Sequence, residues 1–430
     1  MKYLPLDKNL FIDNRAKLVS KLKTKALAVF NANDIMPTNA DGTMPFRQNN
    51  DLFYFSGIDQ EESILMVFPD APKEEWKEIL FLRETNDHIA VWEGHKLTKD
   101  QARETSGIET IYWLKDFDVI FPQLVFEAEY IYLNTNEHLR SESMVQTRDR
   151  RFINMIKEVY PLHKLERLAP VMNELRAIKH ILEVELISNA IDITEKAFKR
   201  VLKFIKPGVA EYQVEAEITH EFLWNRATRH AYNPIIASGK NACILHYNDN
   251  NQVCNDGDLL LMDFGAEYAN YAADLTRTVP VNGKFTNRQK QVYEAVLHTM
   301  KEAKKLLVAG NDFESYNKAV GLVVEEQLLK LRLLKVEDVK NQNPKSPLYK
   351  KYFMHGTSHY LGLDVHDVGS RYRKFEPGMV FTCEPGLYIP EENIGIRLEN
   401  NILITENGNM DLMKNIPLEI EEIEYFMNKK

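Results

Sequence analysis

Two aspartates interrupt a stretch that otherwise has the marks of a buried β-hairpin. In DLLLMDFGAEYANYAADLTRT (258–278), Leu259–Phe264 reads as a buried strand, Gly265–Asn270 supplies turn residues, and Tyr271–Thr278 returns. A turn centred between Tyr268 and Ala269 makes Asp263 and Asp274 direct cross-strand partners on one face, with Cβ atoms roughly 4.5–5.5 Å apart. Asp is depleted in strands. Two unit charges about 5 Å apart repel by roughly 3 kcal/mol at an effective dielectric of about 20. A bound divalent cation turns this repulsion into coordination. In the alternative, the register is shifted, one Asp caps the turn and the other pairs with Arg277.

The pattern recurs near the C-terminus. GMVFTCEPGLYIP (378–390) places Val380, Thr382 and Glu384 on one side of a strand, with Phe381 and Cys383 on the other. IGIRLENNILIT (394–405) places Arg397 and Glu399 together, opposite Ile396, Leu398 and Asn400. Each Glu breaks an apolar β run; taken alone, each also reads as a salt-bridged surface residue, Glu399 with Arg397 for instance. Between the two hairpins lies YFMHGTSHYLGLDVHD (352–367), with His355, His359 and His366. With 12 histidines in 430 residues, a 12-residue window holds about 0.3 on average, so three together call for a reason. Gly356 argues against a helical zinc motif through His355 and His359, and LGLDVH alternates as a strand does. A further histidine, His246, follows a glycine turn in SGKNACILHY (238–247). Four carboxylates and one or more imidazoles make an oxygen-rich donor set, which suits Mn²⁺ better than a structural zinc. Four are more than one ion needs; they fit two metals about 3.5–4 Å apart.

The rest of the chain frames this site. A net charge of −9 argues against a nucleic-acid binder. No secretory signal and no apolar run of about 18 residues is visible, so the expectation is a cytoplasmic protein without a membrane span. The three cysteines lack C-x-x-C spacing and read as reduced core thiols. Up to about 165 the chain is α/β in texture, with β-rich runs at 25–32, 63–70, 78–84 and 130–136. Pro170 breaks an element. A long amphipathic helix then runs from Ile178 to a stop at Pro207–Gly208, followed by a second helix over 209–226 and others near 286–309 and 313–333. Strand–turn signals cluster at 234–247, 257–281, 352–368 and 378–405, and 336–350 reads as a polar loop. The expected fold class is α+β in two domains, 1–170 and 171–430.

These passages resemble a known family. PFRQNNDLFYFSG (45–57), SGKNACILHY, LMDFGAEYANYAADLTRT, MHGTSHYLGLDVHDVG, FTCEPGLYI and GIRLENNILIT come in the order found in the pita-bread metallopeptidases, which include methionine aminopeptidase, prolidase, Xaa-Pro aminopeptidase and creatinase. The resemblance implies a mixed α/β N-terminal domain and a pita-bread catalytic domain. It implies two divalent metal ions, Mn²⁺ first and Co²⁺, Zn²⁺ or Fe²⁺ as alternatives. Their ligands would be Asp263, Asp274, His359, Glu384 and Glu399, with Asp274 and Glu399 bridging. Glu384 would also shuttle a proton, and His246, His355, His366 and Arg397 would surround the metals and substrate. The large N-terminal domain disfavours a methionine aminopeptidase-like chain. The wording HGTSH, with Ser358 where prolidases often have Gly, favours the Xaa-Pro aminopeptidases of the family over the prolidases. The activity so implied is hydrolysis, by a hydroxide bridging the two metals, of the bond between an N-terminal residue and a following proline. Its partners would be peptides with penultimate proline and further copies of the chain in a dimer or tetramer. The alternatives are a prolidase acting on Xaa-Pro dipeptides and a non-catalytic peptide-binding relative, which loss of a ligand residue would betray; none is lost.

Overall fold

The computed structural model describes residues 2–429, and the chain divides into two compact units, Tyr3–Arg176 and Ala177–Lys430. In the first, six strands form one mixed sheet: β1 (Ala26–Asn31), β2 (Ile64–Val67), β3 (Glu78–Leu82), β4 (Thr110–Trp113), β5 (Tyr130–Leu133) and β6 (Lys164–Arg167), in the order β4-β3-β2-β1-β5-β6. β1 lies antiparallel to β2 and parallel to β5. The four strands expected from composition are present. β4 is only TIYW and β6 is the charged KLER, so neither carries an apolar run; β6 is an edge strand, where charge protects against further pairing. Leu27, Val29, Met66, Phe81, Leu124 and Ile131 belong to the apolar core on this sheet. Arg15, wholly buried, donates from Nη1 to the carbonyls of Phe55 and Ser106, near the C-terminal ends of two short helices, and pairs with Glu78. A cation suits the negative end of a helix.

Pro170 does not break an element. It lies in the first turn of the helix Ala169–Ala177, where proline's missing N–H costs nothing. The long amphipathic helix is Ile181–Phe204. His180 caps it: Nδ1 accepts from the Leu182 N–H, while Glu183 reaches back to the His180 N–H. The helix Glu211–Trp224 packs beside it.

The second unit holds small antiparallel sheets. The expected Asp hairpin consists of β9 (Leu259–Phe264) with β10 (Ala266–Tyr268), returning as β11 (Tyr271–Ala272) with β12 (Leu275–Pro280); β7 (Arg229–His230) and β8 (Ile235–Ser238) extend it. Its turn is Ala269–Asn270, both at positive φ, as a two-residue hairpin turn of the primed type requires. The register therefore differs from expectation: Asp263 faces Thr276, not Asp274. The slip is two residues, so Asp274 becomes Asp263's diagonal neighbour on the same face. Gly265 serves close approach and not the turn, since a Cβ there would lie 1.8 Å from the Ala273 carbonyl oxygen.

The Glu-bearing segments also form one long hairpin. β13 (Val380–Cys383) pairs with β16 (Asn400–Thr405), and β14 (Gly386–Ile389) with β15 (Ile394–Arg397). Cys383 opposes Asn400 and Gly386 opposes Arg397, so one register runs through the break and sets Glu384 against Glu399. β17 (Gly408–Asp411) adds to β16. The helices Asn287–Leu306 and Phe313–Lys330 match expectation. Two segments do not. The stretch 352–368 is no strand; its only ladder contact is a single bridge, Tyr360 to Phe381. Its backbone closes on itself instead, with the Asp367 N–H donating to the Tyr360 carbonyl and the Gly362 N–H to that of Asp364. Leu361 and Leu363 are buried from within this loop. The polar loop 336–350 contains a short helix, Val336–Lys340.

Candidate metal and peptide site

The two hairpins and the histidine loop bring their polar residues to one place. Asp274, His359 and Glu399 each offer a ligand atom within 4.8 Å of the others, the one such cluster of His, Cys, Asp and Glu among the described residues. His359 Nε2 lies 3.4 Å from Asp274 Oδ2 and 3.6 Å from Glu384 Oε1. Its Nδ1 contacts the Tyr360 carbonyl at 2.9 Å, which fixes the proton on Nδ1 and leaves Nε2 free as a lone-pair donor. The loop holds His359 against β13, because the His359 N–H donates to Thr382 Oγ1 and the Thr382 N–H to the His359 carbonyl.

Asp263 and Asp274 are joined by a residue that the sequence did not single out. Tyr232 Oη lies 2.5 Å from Asp263 Oδ1 and 2.6 Å from Asp274 Oδ1. Burial and the two aspartate charges raise the Tyr232 pKa, so it remains a proton donor. It sits in RHAYNPII, which carries no spacing that would mark it. Asp263 Oδ2 accepts from Arg397 Nη2 at 2.6 Å. Arg397 thus pairs with Asp263, and not with its neighbour Glu399. The alternative partner for an aspartate, Arg277, is buried and donates to the Glu399 and Pro417 carbonyls and to Asn400 Oδ1.

Arg397 also heads a relay. Its Nη1 donates to Tyr388 Oη, which lies 2.8 Å from His355 Nε2, and His355 Nδ1 lies 2.8 Å from the Gly356 carbonyl. A carbonyl only accepts, so Nδ1 bears the proton and Nε2 accepts from Tyr388. Burial, together with the Arg397 charge, lowers the His355 pKa to about 4, so the ring is neutral at pH 7. Both of its ring nitrogens are therefore engaged within the protein. His366 is exposed and lies against His359, ring centroids 4.1 Å apart. His246 is exposed beside a cavity that Lys240, Asn241, Tyr247 and Asn251 also line.

The donor set fits divalent cations. Glu399 Oε2 accepts from Thr276 Oγ1 at 2.6 Å, whereas Glu399 Oε1 is buried and accepts no hydrogen bond. Such an acceptor is costly unless something positive meets it. Burial first, then mutual repulsion, raises the pKa of Asp274, Glu384 and Glu399 well above the ordinary carboxylate range. A cation among them reverses both effects.

Residues 185–406 match the model of metallopeptidase family M24, and residues 11–132 match the aminopeptidase P N-terminal domain. The chain belongs to family M24. It is 36% identical to an Escherichia coli Xaa-Pro aminopeptidase over 97% of each chain. Among solved structures it resembles a putative aminopeptidase P from Bacillus anthracis, with a TM-score of 0.91 and 34% identity over 99% of each chain. It resembles a zinc-substituted E. coli aminopeptidase P in complex with product at a TM-score of 0.87, again at 34% identity over 99% of each chain. The M24 chain thus has two domains, an aminopeptidase P-type α/β domain and a pita-bread catalytic domain of α+β type, and membership implies divalent metal ions. No helix among the described residues is long and apolar enough to cross a membrane.

Proposed function

We propose that the protein is a metal-dependent Xaa-Pro aminopeptidase that removes the N-terminal residue from peptides with proline in second position. The reading is carried by the cluster of Asp274, His359 and Glu399, in a chain similar over its full length to Xaa-Pro aminopeptidases. The ligands would be Asp263 and Asp274 from the first hairpin, Glu384 and Glu399 from the second, and His359 between them. Asp274 and Glu399 stand with His359 in one cluster, and the two carboxylates would serve both ions. Two divalent ions held there, Mn²⁺ first among the candidates, would supply a water of lowered pKa and a Lewis acid for the scissile carbonyl.

The chain's own residues do the rest. Glu384 stands across from Glu399 and 3.6 Å from His359 Nε2. From there its carboxylate would take a proton from water and pass it to the leaving nitrogen. Arg397 holds Asp263 and, through Tyr388, the neutral His355, fixing one wall of the site. His366 and His246, both exposed, face the substrate. An amide to proline has no N–H, so a site shaped for the ring need supply no acceptor there. Three free cysteines agree with a reducing, cytoplasmic setting. Further copies of the chain in a dimer or tetramer would complete the cleft wall.

The test compares an Xaa-Pro-Yaa tripeptide, an Xaa-Pro dipeptide and an Xaa-Ala-Yaa control by mass spectrometry. Release of the first residue from Xaa-Pro-Yaa alone or with the dipeptide is expected. Cleavage of the dipeptide only would make the protein a prolidase, and equal cleavage of Xaa-Ala-Yaa would remove proline selectivity.

A further inference from the structure

Beneath the histidine loop lies an ion pair that the proposed reaction does not use. Lys179 Nζ is 2.9 Å from Asp367 Oδ2, and each side chain retains only 1% of its exposure. An apolar pair of similar volume often stabilises a fold as well as such a buried bridge does, so stability alone is a weak reason for it. Its surroundings give a better one. Asp367 directly follows His366 and closes the loop through its N–H to the Tyr360 carbonyl at 2.9 Å. Gly362, inside that loop, has no room for a side chain: a Cβ would lie 2.2 Å from Asp367 Oδ2 and 3.0 Å from Lys179 Cε. The Gly362 carbonyl accepts from the Ala272 N–H at 2.8 Å, two residues before Asp274. The Lys179 N–H donates to the Gly378 carbonyl at 2.9 Å, just before β13. One buried bridge therefore touches the loop of His366 directly, and through single backbone contacts the return strand of the first carboxylate hairpin and the entry to the second.

We propose that Lys179 and Asp367 are positioning residues: their bridge fixes the backbone on which His366 stands and so holds its imidazole over the site. The proposal rests on the reading of His366 as substrate-facing. Lys179→Met alone strands a buried carboxylate, so the test uses the charge-neutral double variant Lys179→Met with Asp367→Asn, and Asp367→Glu, which keeps the charge but lengthens the arm. Metal content, thermal midpoint, kcat and KM on Xaa-Pro-Yaa, and the imidazole ¹H–¹⁵N spectrum of zinc-loaded protein are measured, with His366→Ala as reference.

The expected result is full metal content in both variants, a displaced or broadened His366 resonance, and kcat reduced towards that of His366→Ala with KM changed less than threefold. Adding His366→Ala to the double variant then lowers kcat no further. A His366 resonance that stays in place with kcat within twofold of the parent overturns the proposal. So does a triple variant whose loss is the product of the separate losses. A parent protein inactive on Xaa-Pro-Yaa would sink the functional reading, while the imidazole spectrum still decides whether the bridge fixes His366.

Discussion

Replacing Glu399 with Gln should act with opposite sign on the metal-free and the metal-loaded protein. Asp274, His359 and Glu399 place ligand atoms within 4.8 Å of one another. At that separation two carboxylates repel by about 3 kcal/mol for an effective dielectric of about 20. The structure relieves part of this by proton uptake, since burial, then the charges of Asp274 and Asp263, raise the Glu399 pKa well above its usual value. The sign follows. A carboxyl whose folded pKa exceeds its unfolded one stabilises the fold most below the unfolded pKa, and that stability declines as pH rises towards the folded pKa. Metal-free parent protein should lose stability as pH rises from the ordinary carboxylate range, about 4, towards the raised folded value. Metal-free Glu399→Gln should lose less over the same range, by up to about 3 kcal/mol. Loaded with Mn²⁺ at pH 7 the order reverses, because glutamine is a poorer ligand, and both occupancy and turnover should fall. The assay is urea unfolding of chelator-treated protein across the pH series, with calorimetric titration of Mn²⁺ for the second arm. A variant that follows the parent in both arms would refute the claim that Glu399 belongs to a repelling, cation-binding cluster.

Other perturbations separate the remaining roles. His359→Ala should weaken metal binding, whereas His366→Ala should keep both metals and slow turnover by roughly 10²–10⁴-fold; metal analysis beside kcat distinguishes them, and equal metal loss in both would erase the division. In the N-terminal domain, Asp149 is buried, accepting from Asn31 Nδ2, and burial pushes its pKa up from 3.8 to about 7. At about 1.4 kcal/mol per pH unit, this domain should lose on the order of 4 kcal/mol of stability as pH rises from 4 to beyond 7. Asp149→Asn should flatten that slope in urea unfolding, and an unchanged slope would place the titration elsewhere.

The carboxylates were legible because each breaks a local rule. An aspartate or glutamate inside an apolar β run is conspicuous whatever its partner. Asp263 and Asp274 share one face in both the expected and the observed register, because sheet periodicity is two and the slip is two residues; a slip of one would turn one of them away. Gly265–Asn270 has the composition of a turn throughout, but Gly265 is required by the Ala273 carbonyl and the turn falls on Ala269–Asn270. The alternation in LGLDVH deceived for a related reason. Leu361 and Leu363 are buried by a loop that closes on its own backbone, which gives the same period as a strand without the ladder.

What stayed hidden depends on contacts between residues far apart in the chain. Tyr232 joins Asp263 to Asp274, Arg397 chooses Asp263 over its neighbour Glu399, and Lys179 reaches Asp367 across 188 positions. None of these is written in spacing or periodicity, since each residue alone reads as ordinary. The division has a chemical logic. Donors to a cation must be polar where a strand should be apolar, so they announce themselves. Residues that orient those donors satisfy the usual rule that a buried polar group finds a partner, so nothing in the local sequence marks them. Ligands are therefore the part of such a site to seek in sequence, and the shell that aims them is the part to seek in coordinates.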